Sequence, residues 1–136
     1  MRVDIRGTRF AASVTTAVLA AVLVTGSFRL LAAQALVFAA GALLGVGRSP
    51  YGLVFRTLVG PRLGPPVEFE AAGPPRFAQG VGLVFALAGL VGYGAGPLWL
   101  GTAAVACALA AAFLNAAFGY CLGCEVYLAL RRATAS

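Results

Sequence analysis

Two cysteines near the end of the chain have a spacing that allows sulfur chemistry. Cys121 and Cys124 are separated by Leu122 and Gly123. Two thiols this close can exchange disulfides, bind a soft metal ion or hold a transferred sulfur atom, because each reaction needs a thiolate with a second sulfur within reach. A single pair supplies only half the ligands of a structural zinc site, so no metal site is expected. Plain packing of the two side chains is the alternative to thiol redox or sulfur transfer.

The absence of histidine and the position of the third cysteine exclude several kinds of catalytic site. The chain contains no histidine, which excludes Ser-His-Asp and Cys-His catalysis and removes the commonest metal ligand. The third cysteine, Cys107, precedes Cys121 by fourteen residues. That is about 21 Å along a helix, whereas a disulfide requires α carbons within about 7 Å. No cofactor is expected, and a role other than that of a stand-alone enzyme is favoured.

Long apolar runs dominate the sequence. Of the 136 residues, 61% are hydrophobic and 10% charged, against about a quarter charged in an average soluble domain. A bilayer core about 30 Å thick requires about 20 apolar residues per helix. Runs at about residues 10–28, 30–47, 77–93 and 98–118 therefore predict an all-α, polytopic integral membrane protein. It would form a single transmembrane domain, residues 1–136, with four transmembrane helices.

Two segments lie outside these runs. Residues 48–76 contain six prolines, a density that breaks helices, and we expect a Pro-rich cytoplasmic segment. Its first half is either a short amphipathic piece at the membrane interface or a solvated loop. Residues 119–136 form a tail with the CxxC motif. We expect a helix break at Gly119, because glycine is common just past a helix end. A new helix would then have the cysteines in its first turn, where free N–H groups favour a thiolate. If the helix instead continues through Gly119, the pair lies near a helix C-terminus, where the dipole and Glu125 disfavour a thiolate.

Charge distribution predicts the orientation in the membrane. All ten basic residues are arginines. With four spans, nine of them lie on the side of the termini and of residues 48–76, and only Arg29 lies on the other. Cytoplasmic loops are enriched in positive charge, so both termini should be cytoplasmic, in a multi-pass protein of the plasma membrane. The arginines are too dispersed for a nucleic-acid interface, and no nucleic-acid partner is expected.

The sequence also contains two similar segments that suggest an internal repeat. Arg9-Phe10-Ala11 precedes the first run, and Arg76-Phe77-Ala78 precedes the third. Two tandem helical hairpins of the same orientation, related by a pseudo-twofold axis along the membrane normal, would explain the match. The alternative is chance similarity between two segments rich in alanine, valine and leucine.

Polar and small residues inside the runs give two further expectations. Asn115 and Gln34 are polar side chains in apolar spans, and each needs a hydrogen-bond partner there. They either join helices or line a path for a small polar substrate, and the first role is favoured. Small residues recur every four positions in the fourth and second runs, which allows close helix packing and assembly into homo-oligomers. They are Ala104, Ala108, Ala112, Ala116, Gly41 and Gly45.

Several motifs lie along the chain besides the two Arg-Phe-Ala sequences. They are Arg48-Ser49-Pro50-Tyr51-Gly52, Pro61-Arg62-Leu63-Gly64-Pro65-Pro66 and Phe118-Gly119-Tyr120-Cys121-Leu122-Gly123-Cys124-Glu125. Together these motifs resemble an actinobacterial membrane family filed as a domain of unknown function (DUF4395). The resemblance implies a small four-span protein, and the family's cysteine pair falls on Cys121 and Cys124. Members are often encoded beside thioredoxin-like and rhodanese-type sulfurtransferase proteins, which implies sulfur metabolism or thiol chemistry at the membrane.

Two functions are compatible with these features. In the first, Cys121 and Cys124 accept electrons or sulfane sulfur at the cytoplasmic face from a thioredoxin-like or rhodanese-type partner. In the second, the protein is a structural or assembly subunit, or a small-solute facilitator, and the cysteines only pack. Replacing both cysteines by serine separates the two.

Overall fold

The structure, a computed structural model, describes residues 2–45, 49–63, 69–71, 73–118 and 122–135. Four long helices make up most of it, and the shorter elements follow each pair of them. The helices are α1 (Ile5–Thr25), α2 (Phe28–Leu44), α3 (Pro50–Val54), a π-helical turn (Phe55–Val59), α4 (Gly60–Leu63), α5 (Gly73–Gly94), α6 (Leu98–Phe118) and α7 (Leu122–Ala135). The predicted all-α fold class is confirmed.

The long helices have the composition of membrane-crossing helices. Residues Arg6–Thr25, Arg76–Gly94 and Leu98–Phe118 are long and apolar enough to span a bilayer. Helix α2 is equally apolar but has 17 residues, a little fewer than the ~20 that a bilayer core requires. Large apolar side chains point outward from the bundle, including Leu36 and Leu43 at 74% exposure each. A surface of this kind suits contact with lipid better than with water.

The helices α2 and α5 begin at different residues from the apolar runs, because capping residues and prolines determine where a helix starts. The Ser27 hydroxyl accepts a hydrogen bond from the Leu30 amide at 3.1 Å, so α2 begins at Phe28 and the turn falls at Gly26, whose φ is 65°. Helix α5 begins at Gly73, earlier than the predicted 77. Pro74 and Pro75 are tolerated in its first turn, because the amides there have no partner within the helix.

The proline-rich segment is largely helical where it is described. Residues 50–63 form α3, the π-helical turn and α4, with Phe55 buried and Arg56 and Leu58 exposed. The described part of this segment is therefore helical and not an irregular loop, and its location at the membrane interface stays a prediction. A feature that the sequence did not predict is a two-stranded antiparallel sheet, in which β1 (Arg2–Asp4) pairs with β2 (Phe69–Ala71).

Helices α1 and α2 pack against α5 and α6 in one bundle. Helix α1 packs mainly along α6, α2 along α5, and α5 against α6. Buried apolar side chains from all four helices form the core: Leu19, Val22, Leu31, Ala35, Phe38, Ala86, Val105 and Ala108. The N-terminal ends of α1 and α5 lie beside the C-terminal ends of α6 and α2, as the arginine contacts below show.

Matched contacts support the predicted repeat. Arg9 Nη2 donates to the carbonyl of Ala116 at 3.1 Å, near the end of α6. At the equivalent position, Arg76 Nη2 donates to the carbonyl of Leu43 at 2.8 Å, near the end of α2. Each arginine thus binds carbonyls that have no partner within their own helix.

The aromatic residues that follow these arginines extend the repeat to a third element. Phe10 contacts Phe55 with ring centroids 5.8 Å apart, and Phe77 contacts Tyr127 at 5.5 Å. The rings in each pair are tilted at similar angles, 46° and 53°. Residues 50–63 and α7 thus make similar aromatic contacts with α1 and α5, as two equivalent halves would.

Candidate thiol motif and intramembrane cavity

Helix α6 ends at Phe118, and α7, which carries Cys124, begins at Leu122. Gly119, where a helix break was predicted, lies outside the described residues. Cys124 therefore lies in the first turn of α7. It is partly buried and disulfide-bonded, whereas Cys107 is a free, exposed thiol. Cys121 lies outside the described residues.

Helix α7 is attached to the arginine-rich end of the bundle. Its Tyr127 packs on Phe77 of α5, and Arg131 Nη1 donates to the Tyr127 hydroxyl at 3.0 Å. The Arg131 guanidinium also lies over the same ring, 5.7 Å from its centroid. Glu125 is exposed in the first turn. The cysteine motif is thus held at the end of the bundle where Arg9 and Arg76 bind the ends of α6 and α2.

A cavity of about 350 Å³ lies within the bundle. Thr8, Ala12 and Thr15 of α1 form one wall, and residues of α5 and α6 form most of the rest. Its lining spans the depth from the arginine-rich end to the middle of the helices. The other lining residues are Phe38, Ala78, Gln79, Val81, Gly82, Phe85, Cys107, Ala108, Ala111, Ala112, Asn115 and Val126.

The two predicted intramembrane polar residues have different surroundings. Asn115 lines the cavity, two helical turns from Cys107 on the same face of α6. Gln34 does not line it, and its Oε1 accepts a hydrogen bond of 2.6 Å from the Tyr51 hydroxyl. Gln34 therefore joins α2 to α3, the role that the sequence favoured for both residues. Burial raises the pKa of the Tyr51 phenol above its ordinary value, which keeps this donor protonated.

The polar part of the cavity was only partly visible in the sequence. Thr8 lies before the apolar run at residues 10–28, between Arg6 and Arg9. Helical periodicity puts residues 8, 12 and 15 on one face, and Thr8 and Thr15 are 8% and 4% exposed. The seven-residue spacing of Thr8 and Thr15 was the feature of the sequence that could have indicated a polar helix face. Among the residues that the structure describes, no three histidine, cysteine or acidic side chains are grouped to hold a metal.

Comparison with known proteins identifies a family. No curated protein and no solved structure matches the chain. The sequence model of the family described as a domain of unknown function (DUF4395) matches residues 3–132. Because the match covers nearly the whole chain, the protein belongs to this family, as its motifs predicted.

Proposed function

We propose that the protein is a thiol–disulfide protein of the plasma membrane, in which Cys121 and Cys124 exchange electrons or sulfane sulfur with a cytoplasmic thioredoxin-like or rhodanese-type protein. The observation that carries this proposal is the position of Cys124, disulfide-bonded in the first turn of α7. Free backbone N–H groups in a first turn stabilise a thiolate. A sulfur that is stabilised as a thiolate is a better leaving group in disulfide exchange.

Atoms and electrons are conserved in the exchange, whether the partner is a dithiol protein or a persulfide donor. A thiolate of a reduced dithiol protein attacks one sulfur of the disulfide, and the other sulfur leaves as a thiolate. The partner's second thiol then breaks the mixed disulfide, so two electrons pass to this protein and the partner becomes a disulfide. With a persulfide donor, a thiolate of the reduced pair takes the terminal sulfur, and the donor leaves as a thiolate. The second thiol can then release that sulfur as sulfide and restore the disulfide.

The proposed topology has four spans with both termini in the cytoplasm. Arg9 and Arg76 lie at the end of the bundle that carries α7, and Arg29 lies at the start of α2, at the opposite end. This asymmetry fits the enrichment of positive charge in cytoplasmic segments. Helix α2 is short for a span, and Arg29 can extend its reach by placing its guanidinium at the lipid head groups.

Single and double cysteine variants test the function. We expect Cys121→Ser and Cys124→Ser, alone and together, to reduce growth on thiosulfate and resistance to oxidants, whereas Cys107→Ser should leave both unchanged. The single variant that retains the attacking thiol should also form a mixed disulfide with an oxidised partner, because no second thiol is left to break it. A reductant should release that partner after purification in mild detergent. If the double variant matches the unmodified protein in both assays, the thiol function is wrong. A structural or solute-facilitating role is then favoured.

A further inference from the structure

The cavity lies between equivalent surfaces of the two halves. Ala12 and Thr15 of α1 and Gln79 and Gly82 of α5 all line it, and these pairs are related by the same 67-residue offset as Arg9 and Arg76. Membrane proteins built from repeats often place their binding sites at the repeat interface. The position of the cavity therefore suits a ligand site, in addition to any role of the cysteines.

A buried hydroxyl in its wall is left without a partner. Several other helical hydroxyls donate to the carbonyl four residues earlier, as Ser13 does to Arg9 at 2.9 Å and Thr16 to Ala12 at 2.7 Å. Thr8 Oγ1 is buried and makes no hydrogen bond within the described part of the chain. Burying an unpaired hydroxyl is unfavourable, and a ligand with a hydrogen-bond acceptor would remove the cost.

The lining defines the chemistry of that ligand. Among the described residues that form it, none carries an acidic or basic side chain, so a charged ligand would have no counter-ion in an apolar site. The hydrogen-bonding groups are the threonine hydroxyls and the carboxamides of Gln79 and Asn115, which can donate to carbonyl oxygens. Phe38 and Phe85 add aromatic surface suited to a ring. The volume lies in the range of small-molecule sites.

We infer that the cavity binds a small, neutral, ring-shaped molecule with carbonyl acceptors, of the chemical class of a membrane quinone. The apolar ring would pack against Phe38 and Phe85, and a carbonyl would accept from the Thr8 hydroxyl. Binding of this kind requires no reaction at Cys121 or Cys124.

Cys107 supplies a direct readout, because it is a free thiol in the cavity wall. The experiment measures its alkylation by N-ethylmaleimide in the purified protein, by mass spectrometry of the Cys107 peptide. Duroquinone, whose ring has no free position for thiol addition, is the probe. Durene has the same ring and methyl groups without carbonyls and is the matched control. We expect saturating duroquinone to slow alkylation at least about fivefold, and durene at equal concentration less than about twofold, since only the quinone can accept hydrogen bonds.

Variants test the assigned contact. Thr8→Val keeps the side-chain shape and should raise the half-protecting concentration of duroquinone about tenfold, the value of one hydrogen bond. Thr16→Val makes the same change outside the cavity and should not alter it. Thr8→Ser, which retains the hydroxyl, should behave as the unmodified protein. If Thr8→Val does not fold, Asn115→Leu replaces it and should weaken protection similarly.

Three results would overturn the inference. They are the absence of protection by duroquinone, equal protection by durene, and equal shifts for Thr8→Val and Thr16→Val. The Cys121→Ser/Cys124→Ser protein should still be protected, since the cavity does not depend on the motif. Failure of the thiol function and failure of the ligand site can therefore be told apart.

Discussion

Gly92 of α5 lies directly against the backbone of Gly101 of α6. A methyl group built on Gly92 would clash with the Gly101 amide nitrogen and stand 2.6 Å from its α carbon. Neither helix could approach the other this closely with a larger residue at this point. In lipid, where tight packing rather than water exclusion drives helix association, such a contact stabilises the pair.

We predict that Gly92→Ala destabilises the protein by about 2–3 kcal/mol, since the added methyl group meets backbone that cannot move aside. The measurement is unfolding by sodium dodecyl sulfate in mixed micelles. Gly80→Ala on the same helix is the control, because its methyl group would lie 3.9 Å from the Ala42 Cβ, an ordinary contact. An equal loss in both variants would mean that helix propensity or solubility, and not the contact with Gly101, is being measured.

The paired arginines should contribute similarly to stability. We predict that Arg9→Gln and Arg76→Gln each lower the free energy of unfolding by about 1 kcal/mol, because each removes charge-assisted hydrogen bonds from a helix C-terminus. The two losses should add, since the arginines bind different helices. Arg29→Gln is the control, because Arg29 makes no such bond among the described residues. Unequal effects of the two substitutions, with one near zero, would contradict the equivalence of the halves.

Reporter fusions test the topology. A reporter active only in the cytoplasm should be active when fused at Ser136 and inactive when inserted near Gly96, in the turn between α5 and α6. The expectation follows from the arginine asymmetry across the bundle. Activity at both positions would remove a span, and a Ser136 fusion outside the cytoplasm would place the CxxC motif in an oxidising compartment.

The sequence predicted the features that depend on local pattern. Apolar runs identified the long helices. The two Arg-Phe-Ala sequences predicted a repeat, and the matched hydrogen bonds of Arg9 and Arg76 support it. Each of these signals lies within a few residues or at a fixed spacing, where one physical rule dominates.

The features that the sequence did not predict depend on contacts between distant segments. Charge near Thr8 concealed that it belongs to α1 and lines the cavity. Nothing in the sequence pairs Tyr51 with Gln34, or β1 with β2, because such pairs arise only when packing brings separate segments together. Asn115 and Gln34 looked alike as lone polar residues in apolar runs, and only the fold separated the cavity residue from the helix contact.

The Tyr51–Gln34 hydrogen bond gives the last prediction. Gln34 is 1% exposed, and its Nε2 has no hydrogen-bond partner among the described residues. The bond that its Oε1 accepts from Tyr51 is therefore the one hydrogen bond of this side chain within the described part of the chain. Tyr51→Phe should therefore cost about 1–3 kcal/mol, because it leaves a buried carboxamide oxygen unpaired. Tyr51→Phe combined with Gln34→Leu should recover most of that loss, since no polar group is then left unsatisfied.

Burial of the Tyr51 phenol should also make stability depend on pH in the alkaline range. Burial raises the pKa of Tyr51 in the folded protein above its ordinary value of 10.0, so the folded state holds a proton that the unfolded state begins to lose near that pH. This contribution to stability is fully present below pH 10.0 and decreases as the pH rises above it. Unfolding in micelles across this pH range should show a steeper loss for the unmodified protein than for Tyr51→Phe. Parallel curves would mean that the phenol is solvated and that Gln34 is satisfied in another way.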